Sequence, residues 1–173
     1  MKASEQADLR DYVIARKAAL LRTAYLLSGD WHKAEDLVSM TVLKLYGSWR
    51  KVRAAAYPDA YVRRILVRVF LQEKRHPSRR EHPTDLLPET ASAPATTDLD
   101  HREDLRRLLD RMPPRQRAVL VLRYYDDLSI EQTAEVLGCS AGAVKSLTVR
   151  AIDSIRGLLP AGVTTRTDYE EAL

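Results

Sequence analysis

Cysteine is almost missing from this chain. The one residue present, Cys139, cannot close an internal disulfide or build a cysteine-rich zinc site. It falls in a turn, where it is either a small buried filler or a redox-active thiol. The four histidines (His32, His76, His82 and His101) are scattered without metal-ligand spacing, and no Gly-rich phosphate loop is present. Neither an enzyme nor a metal or cofactor protein is therefore expected, and no residue is assigned a catalytic or metal-binding role. Glycine is scarce at 6 residues, aromatics make up 6%, and there is a single Phe. Few segments alternate apolar and polar residues in the manner of strands, so an all-α protein with small cores is expected. No apolar run approaches the roughly 20 residues of a membrane span. The first residues, MKASEQADLRDYV, lack the apolar segment of a signal peptide. The cytoplasm is the expected location, without membrane insertion.

What is plentiful is charge, at 30% of the 173 residues with a net +4, and it is unevenly placed. Residues 1–75 carry 15 Lys+Arg against 8 Asp+Glu, and residues 101–159 carry 10 against 8. Between them, residues 76–100 carry 2 against 5 and hold four of the 8 prolines. Two basic lobes joined by an acidic segment suggest two nucleic-acid-facing modules and a linker that stays off DNA. The expected organisation is a helical domain over 8–75, a flexible Pro-rich linker over 76–100, a second helical domain over 101–159 and a tail over 160–173.

Helical periods fill both lobes. Leu9, Val13, Ala19/Leu20, Ala24 and Leu27 stripe a helix over 8–27, ended by Ser28-Gly29-Asp30. Ala34, Leu37, Val38, Thr41, Leu45 and Trp49 stripe a second, from about Trp31 to Trp49, with Gly47-Ser48 loosening its end. Tyr57-Pro58-Asp59 opens a third that runs to about Arg75, with Val62, Ile65/Leu66, Val69 and Phe70 inward. A helix resumes at His101. Pro113-Pro114 breaks it and begins another, with Ala118, Val119, Leu122 and Tyr125 inward.

The most informative stretch is LSIEQTAEVLGCSAGAVKSLTVRAIDSIR, Leu128 to Arg156. Ser129 with Gln132 forms a capping box, Gly138 permits a sharp helix exit, and Ser140 caps a second helix. Val144, Leu147, Ala151, Ile155 and Leu158 repeat along that helix. The pattern is a helix-turn-helix, whose second helix lies in the DNA major groove; a plain helical hairpin in a core is the alternative. Gly142 and Ala143 keep the start of the second helix small enough to approach a phosphate, and Lys145, Ser146 and Arg150 follow. Ser129 and the amides of Ile130 and Glu131 stand at a helix N-terminus, a natural phosphate anchor. In the third helix, Tyr61, Arg64, Arg68, Gln72 and Arg75 fall near one face with Arg63 beside them. Cations interleaved with an aromatic suit single-stranded nucleic acid, and a solvated basic face is the plainer reading.

Two blocks resemble the extracytoplasmic-function group of bacterial sigma factors, in particular its short actinobacterial, SigE-like subgroup. AEDLVSMTVLKLYGSW with YPDAYVRRILVRVFLQEKR is similar to the family's second conserved region. RMPPRQRAVLVLRYYDDLSIEQTAEVLGCSAGAVKSLTVRAIDSIR is similar to its fourth. The resemblance implies a subunit that binds core RNA polymerase, through its β and β′ subunits, and directs promoter-specific initiation. The first domain would recognise and melt the single-stranded −10 element through Tyr57, Pro58, Asp59, Tyr61, Arg63, Arg64 and Arg68. The second would read the double-stranded −35 element through Lys145, Ser146, Leu147, Val149 and Arg150. Arg123, Ser129, Ile130, Glu131, Gly142 and Ala143 would assist it. Glu35, Asp36, Leu37, Met40, Leu43 and Lys44 would grip the polymerase clamp helices. Many members are held by an anti-sigma protein, so such a partner is admitted here too.

Departures from the family pattern matter. Ser39-Met40 stands where Gln-Glu is usual, Arg68 where Asn is frequent, and Leu147 where Arg or Gln is frequent. Leu147 then either touches a thymine methyl or is core, and Arg150 holds a base, a phosphate or an internal carboxylate. A stand-alone helix-turn-helix regulator is the rival reading, and it leaves the basic first domain unexplained.

Overall fold

A computed structural model describes residues 2–75 and 107–158. Every regular element among them is helical, as composition predicts. The acidic linker, the helix start at His101 and the tail lie outside the described residues. Helix α1 spans Ala3–Ser28, α2 Trp31–Ala54 and α3 Pro58–Arg75. After a helical stretch at 107–110, α4 spans Pro114–Leu120 and continues as a π-helical turn, Val121–Tyr125. Helices α5 (Ile130–Leu137) and α6 (Ala141–Leu158) complete the chain.

The first domain is a three-helix bundle. Gly29 ends α1 in the left-handed region at φ +76°, and its N–H returns to the Tyr25 carbonyl at 2.7 Å. Asp30 starts α2, its side chain accepting from the Lys33 amide at 2.9 Å. The predicted stripe of α2 is buried from Ala34 through Trp49. The helix does not loosen at Gly47-Ser48, contrary to expectation, but runs on to Ala54. Three contacts hold the extra turn. Val52 is fully buried, and Arg50 and Arg53 pair with Glu5 and Asp8 of α1 at 2.8 and 2.6 Å. Trp49 also packs on Tyr12, ring centroids 5.3 Å apart. Phe70 and Leu66 of α3 close the core.

In the second domain, Pro114 occupies the first helical position of α4, where a missing N–H costs nothing. Ala118, Val119 and Leu122 point inward as expected, but Tyr125 does not; it is exposed. The reason is the π turn: the Asp126 amide bonds back five residues to the Val121 carbonyl at 2.9 Å. The wider turn shifts Tyr125 off the stripe that a 3.6-residue period assigns it.

The capping box before α5 is closed in both directions. The Gln132 amide donates to Ser129 Oγ at 3.1 Å, and the Ser129 amide donates to Gln132 Oε1 at 2.8 Å. Gly138 takes φ +64°, and Ser140 Oγ accepts from the Ala143 amide at 3.2 Å. Ser129→Ala leaves the α5 donor unpaired and is expected to cost about 0.5–2 kcal/mol. Urea unfolding measures it; an unchanged midpoint would show that the cap contributes nothing.

The two domains are packed together, and their buried residues form one apolar cluster. Helix α3 lies against α5, and α1 against the π turn.

Candidate nucleic-acid interface

Helix α6 presents Lys145, Ser146, Val149 and Arg150 to solvent along one face, with Gly142 before them. A helix places residues three and four apart on one side, so these positions form a continuous ridge. Arg150 makes no ion pair with any described residue, which removes the internal-carboxylate alternative among them. Leu147 is half-buried against the core beneath, so it supports the ridge rather than crowning it. Ser146 donates its hydroxyl to the Gly142 carbonyl at 3.1 Å.

The start of α5 differs from the expected open phosphate anchor. Glu131 turns its carboxylate to its own helix N-terminus, where Ser129 Oγ donates to it at 2.9 Å. Hydrogen bonding to its own backbone amide and then to Ser129 lowers its pKa, with smaller contributions from Lys145 and Arg123. An internal anion thus sits where a phosphate would bind. Arg123 donates from Nη1 to the Leu128 carbonyl and braces the loop into α5.

Arg63, Arg64 and Arg68 recur on α3 at the spacing of one helical face, with Tyr61 half-buried beside them and Tyr57 75% exposed at the entry. Asp59 is committed elsewhere. Its Oδ1 accepts from the Tyr12 hydroxyl at 2.7 Å and its Oδ2 pairs with Arg16 at 3.0 Å, which ties the first turn of α3 to α1. Burial and then this carboxylate push the Tyr12 hydroxyl well above its ordinary range. Asp59 therefore anchors the first turn of α3, and its side chain stays 41% exposed beside Tyr57 and Pro58.

On α2, Glu35, Asp36, Leu43 and Lys44 are exposed and Met40 is half-buried. Leu37 is fully buried, so it belongs to the core and not to the polymerase-facing surface. Sequence reasoning missed Tyr46, which is 51% exposed one turn beyond Leu43 and extends that apolar strip. Its i+3 spacing from Leu43 was the available signal.

Also unforeseen are the polar contacts that join the domains. Arg117 of α4 is buried, donates from Nη1 to the Leu27 carbonyl at the end of α1 at 2.8 Å, and pairs with Asp110 at 3.0 Å. Burial lowers its pKa against the pull of Asp110. Thr23 of α1 donates to Asp126 Oδ1 at 3.1 Å, and Arg63 Nε stands 3.5 Å from Asp126 Oδ2. Burial raises the Asp126 pKa, and Arg63 and then Thr23 oppose the shift. Arg64 pairs with Glu135 of α5 at 2.5 Å. The available signal for Arg117 was its place directly before the apolar run AVLVL, although Arg115 two residues earlier shares that turn.

A three-helix domain with a basic third helix, followed by a helix-turn-helix domain with an exposed basic ridge, defines a two-module helical protein of the DNA-binding class. Comparison with known proteins gives the family. The chain matches the family described as Sigma-70 region 2 over residues 13–80 and that described as Sigma-70, region 4 over residues 102–155. It is 37% identical over 157 residues to the RNA polymerase sigma-E factor of Streptomyces coelicolor, covering 91% of this chain and 89% of that protein. It is 30% identical over 153 residues to the ECF RNA polymerase sigma factor EcfG of Rhodopseudomonas palustris, covering 87% and 84%. Among solved structures, the sigma factor RpoE of Bartonella quintana, in complex with the anti-sigma factor NepR, superposes with a TM-score of 0.69 at 26% identity. That match covers 90% of this chain and 99% of that one. The chain belongs to the extracytoplasmic-function sigma factors of the sigma-70 family. No described helix is long and apolar enough to cross a membrane.

Proposed function

We propose that this protein binds core RNA polymerase in the cytoplasm, through the β and β′ subunits, and directs initiation at a defined set of promoters. The observation that carries the reading is the pair of basic helical faces, one on each family domain: the Lys145–Arg150 ridge of α6 and the Arg63–Arg64–Arg68 face of α3. The α6 ridge reads the duplex −35 element from the major groove, where Lys and Arg pair with guanine O6 and N7. Tyr57, Tyr61 and the α3 arginines take the melted −10 strand, cations on phosphates and a ring against a base. Glu35, Asp36, Met40, Leu43 and Lys44 of α2, extended by Tyr46, form an acidic and apolar helical strip suited to a helical coil on the polymerase. The domain over 8–75 is assigned to core and −10 binding, that over 101–159 to −35 binding, and 76–100 joins them. An anti-sigma protein is a further candidate partner, given the NepR complex of the Bartonella relative.

The test is reconstituted transcription: purified protein, sigma-free core polymerase and a pool of promoter fragments from the source organism. Discrete transcripts absent with core alone are expected, and their shared upstream sequences define both elements. Failure both to initiate and to co-elute with core would overturn the reading. With a promoter in hand, Arg64→Ala combined with Arg68→Ala is expected to impair strand opening, read by permanganate reactivity, more than core binding. Unimpaired opening would remove α3 from the assignment.

A further inference from the structure

The amino end of α1 and the carboxyl end of α2 enclose a cleft of about 370 Å³, lined by Glu5, Trp49, Arg50, Arg53 and Ala54. That volume lies at the small end of ligand sites, which run about 300–1,000 Å³. Trp49 is 5% exposed, and its indole Nε1 is buried without a hydrogen-bond partner among the described residues. An indole N–H only donates, and a buried donor is costly to leave unpaired, so this wall calls for an acceptor. The carboxylate of the cleft is already engaged. Glu5 Oε1 accepts from Arg50 Nε at 2.8 Å, and Oε2 accepts from the Lys2 amide at 2.9 Å and from Arg50 Nη2 at 3.4 Å. The bond from Arg50 and then that from Lys2 lower the Glu5 pKa and keep it ionised. The groups left over are donors. A guanidinium carries five N–H bonds. Among the described residues Arg53 spends only Nη1, on Asp8, and Arg50 leaves its own Nη1 unused.

The cleft adjoins the entry of α3. Trp49 packs on Tyr12, whose hydroxyl donates to Asp59 in the first turn of that helix. Ala54 precedes the exposed Tyr57 by three residues, so their Cα atoms lie at most about 11 Å apart. A short stretch of one strand spans both. We infer that this cleft captures a second unstacked base of the melted promoter strand, beyond the one held against the tyrosines. A ring carbonyl, thymine O4 or guanine O6, accepts from Trp49 Nε1. The guanidiniums of Arg50 and Arg53 take the flanking phosphates. Adenine carries no carbonyl and is the weaker ligand. The inference rests on the assignment of the first domain to the melted strand.

The experiment uses the full chain with Trp31→Phe, which leaves Trp49 as the sole indole. Phe keeps a ring against Tyr25, and Trp31 lies outside the cleft. Trp49 emission is titrated with hexathymidylate, with hexadeoxyadenylate and with an abasic strand of the same length and charge. Hexathymidylate is expected to quench the emission, hexadeoxyadenylate to bind about fivefold more weakly for want of one hydrogen bond, and the abasic strand to leave the emission unchanged. Ala54→Phe, added to fill the cleft, is expected to abolish the quenching while circular dichroism shows the helices retained. Quenching by the abasic strand equal to that by hexathymidylate would mean a phosphate contact and overturn base capture. Equal binding of adenylate would overturn the carbonyl contact. Quenching that survives Ala54→Phe, or none at all up to about 1 mM strand, would overturn the site. In the holoenzyme, Trp49→Phe keeps the ring and deletes the N–H, and is expected to shorten the open-complex lifetime about fivefold. One abasic position in the melted strand should shorten it likewise in the parent and add nothing in Trp49→Phe, the signature of a shared contact. Additive losses at every position would remove the cleft from promoter opening. Emission is read without polymerase, whereas the promoter reading is decided by initiation, so the two fail separately.

Discussion

Phe70→Ala is expected to destabilise the protein by about 3–5 kcal/mol, the range for truncating a fully buried aromatic. Phe70 is the single Phe of the chain, is 2% exposed, and is among the largest fully buried side chains. It sits on the inward stripe of α3 with Val62, Leu66 and Val69, inside the common apolar cluster. Native stability is typically about 5–15 kcal/mol, so the loss takes a large share of it. Urea unfolding followed by circular dichroism gives the number. A cost under about 1 kcal/mol would mean that the site repacks freely. The functional consequence follows from position: α3 also carries the arginines proposed above for the −10 strand, so core binding and strand opening are expected to fall together. Arg64→Ala with Arg68→Ala, in contrast, is expected to impair opening more than core binding.

The elements that periodicity makes visible are those whose partner is a core. Ala34, Leu37, Val38, Thr41, Leu45 and Trp49 were legible because one helix face must leave water whatever it packs against. Ser129, Gln132, Gly138 and Ser140 were legible because caps and turns are local. What escaped is non-local or depends on backbone detail. The last turn of α2 survives Gly47 because Arg50 and Arg53 reach Glu5 and Asp8 some 45 residues away, which no window of sequence displays. Tyr125 escaped because the π turn changes the period within one helix. The fate of Asp59 depends on Tyr12 and Arg16 lying beside it, and Leu37 is an apolar residue in a stripe that serves the core and borders the exposed strip. The α3 face was correctly seen as basic, but its acidic occupants, Asp126 and Glu135, lie beyond the linker. Val67, an apolar residue off the Val62–Leu66–Val69–Phe70 stripe that is fully buried, was the one visible trace, since a stripe wider than a single face signals a second packing partner.

Lys145→Ala combined with Arg150→Ala is expected to weaken −35-dependent initiation by about 1–3 kcal/mol for each base that goes unread, or roughly fivefold to 150-fold per residue. Both side chains stand on the exposed ridge of α6, and neither is tied to a described carboxylate by an ion pair. Their removal therefore leaves the fold intact and should leave the unfolding midpoint where it was, unlike Phe70→Ala. The two residues need not act alike. Lys145 lies in the field of Glu131 at the start of α5. A loss there that is uniform across promoters, with a salt dependence reduced by about one unit of slope, marks a phosphate contact. Arg150 lies more than one turn further on, and a loss confined to promoters with one −35 base marks direct readout through a guanine edge. Scrambling the −35 element separates these cases from trivial damage: on such a template the double variant and the parent should initiate equally poorly. An equal fractional loss on both templates would mean that α6 acts on something other than −35 DNA. Unchanged initiation on the intact promoter would place the recognition surface elsewhere.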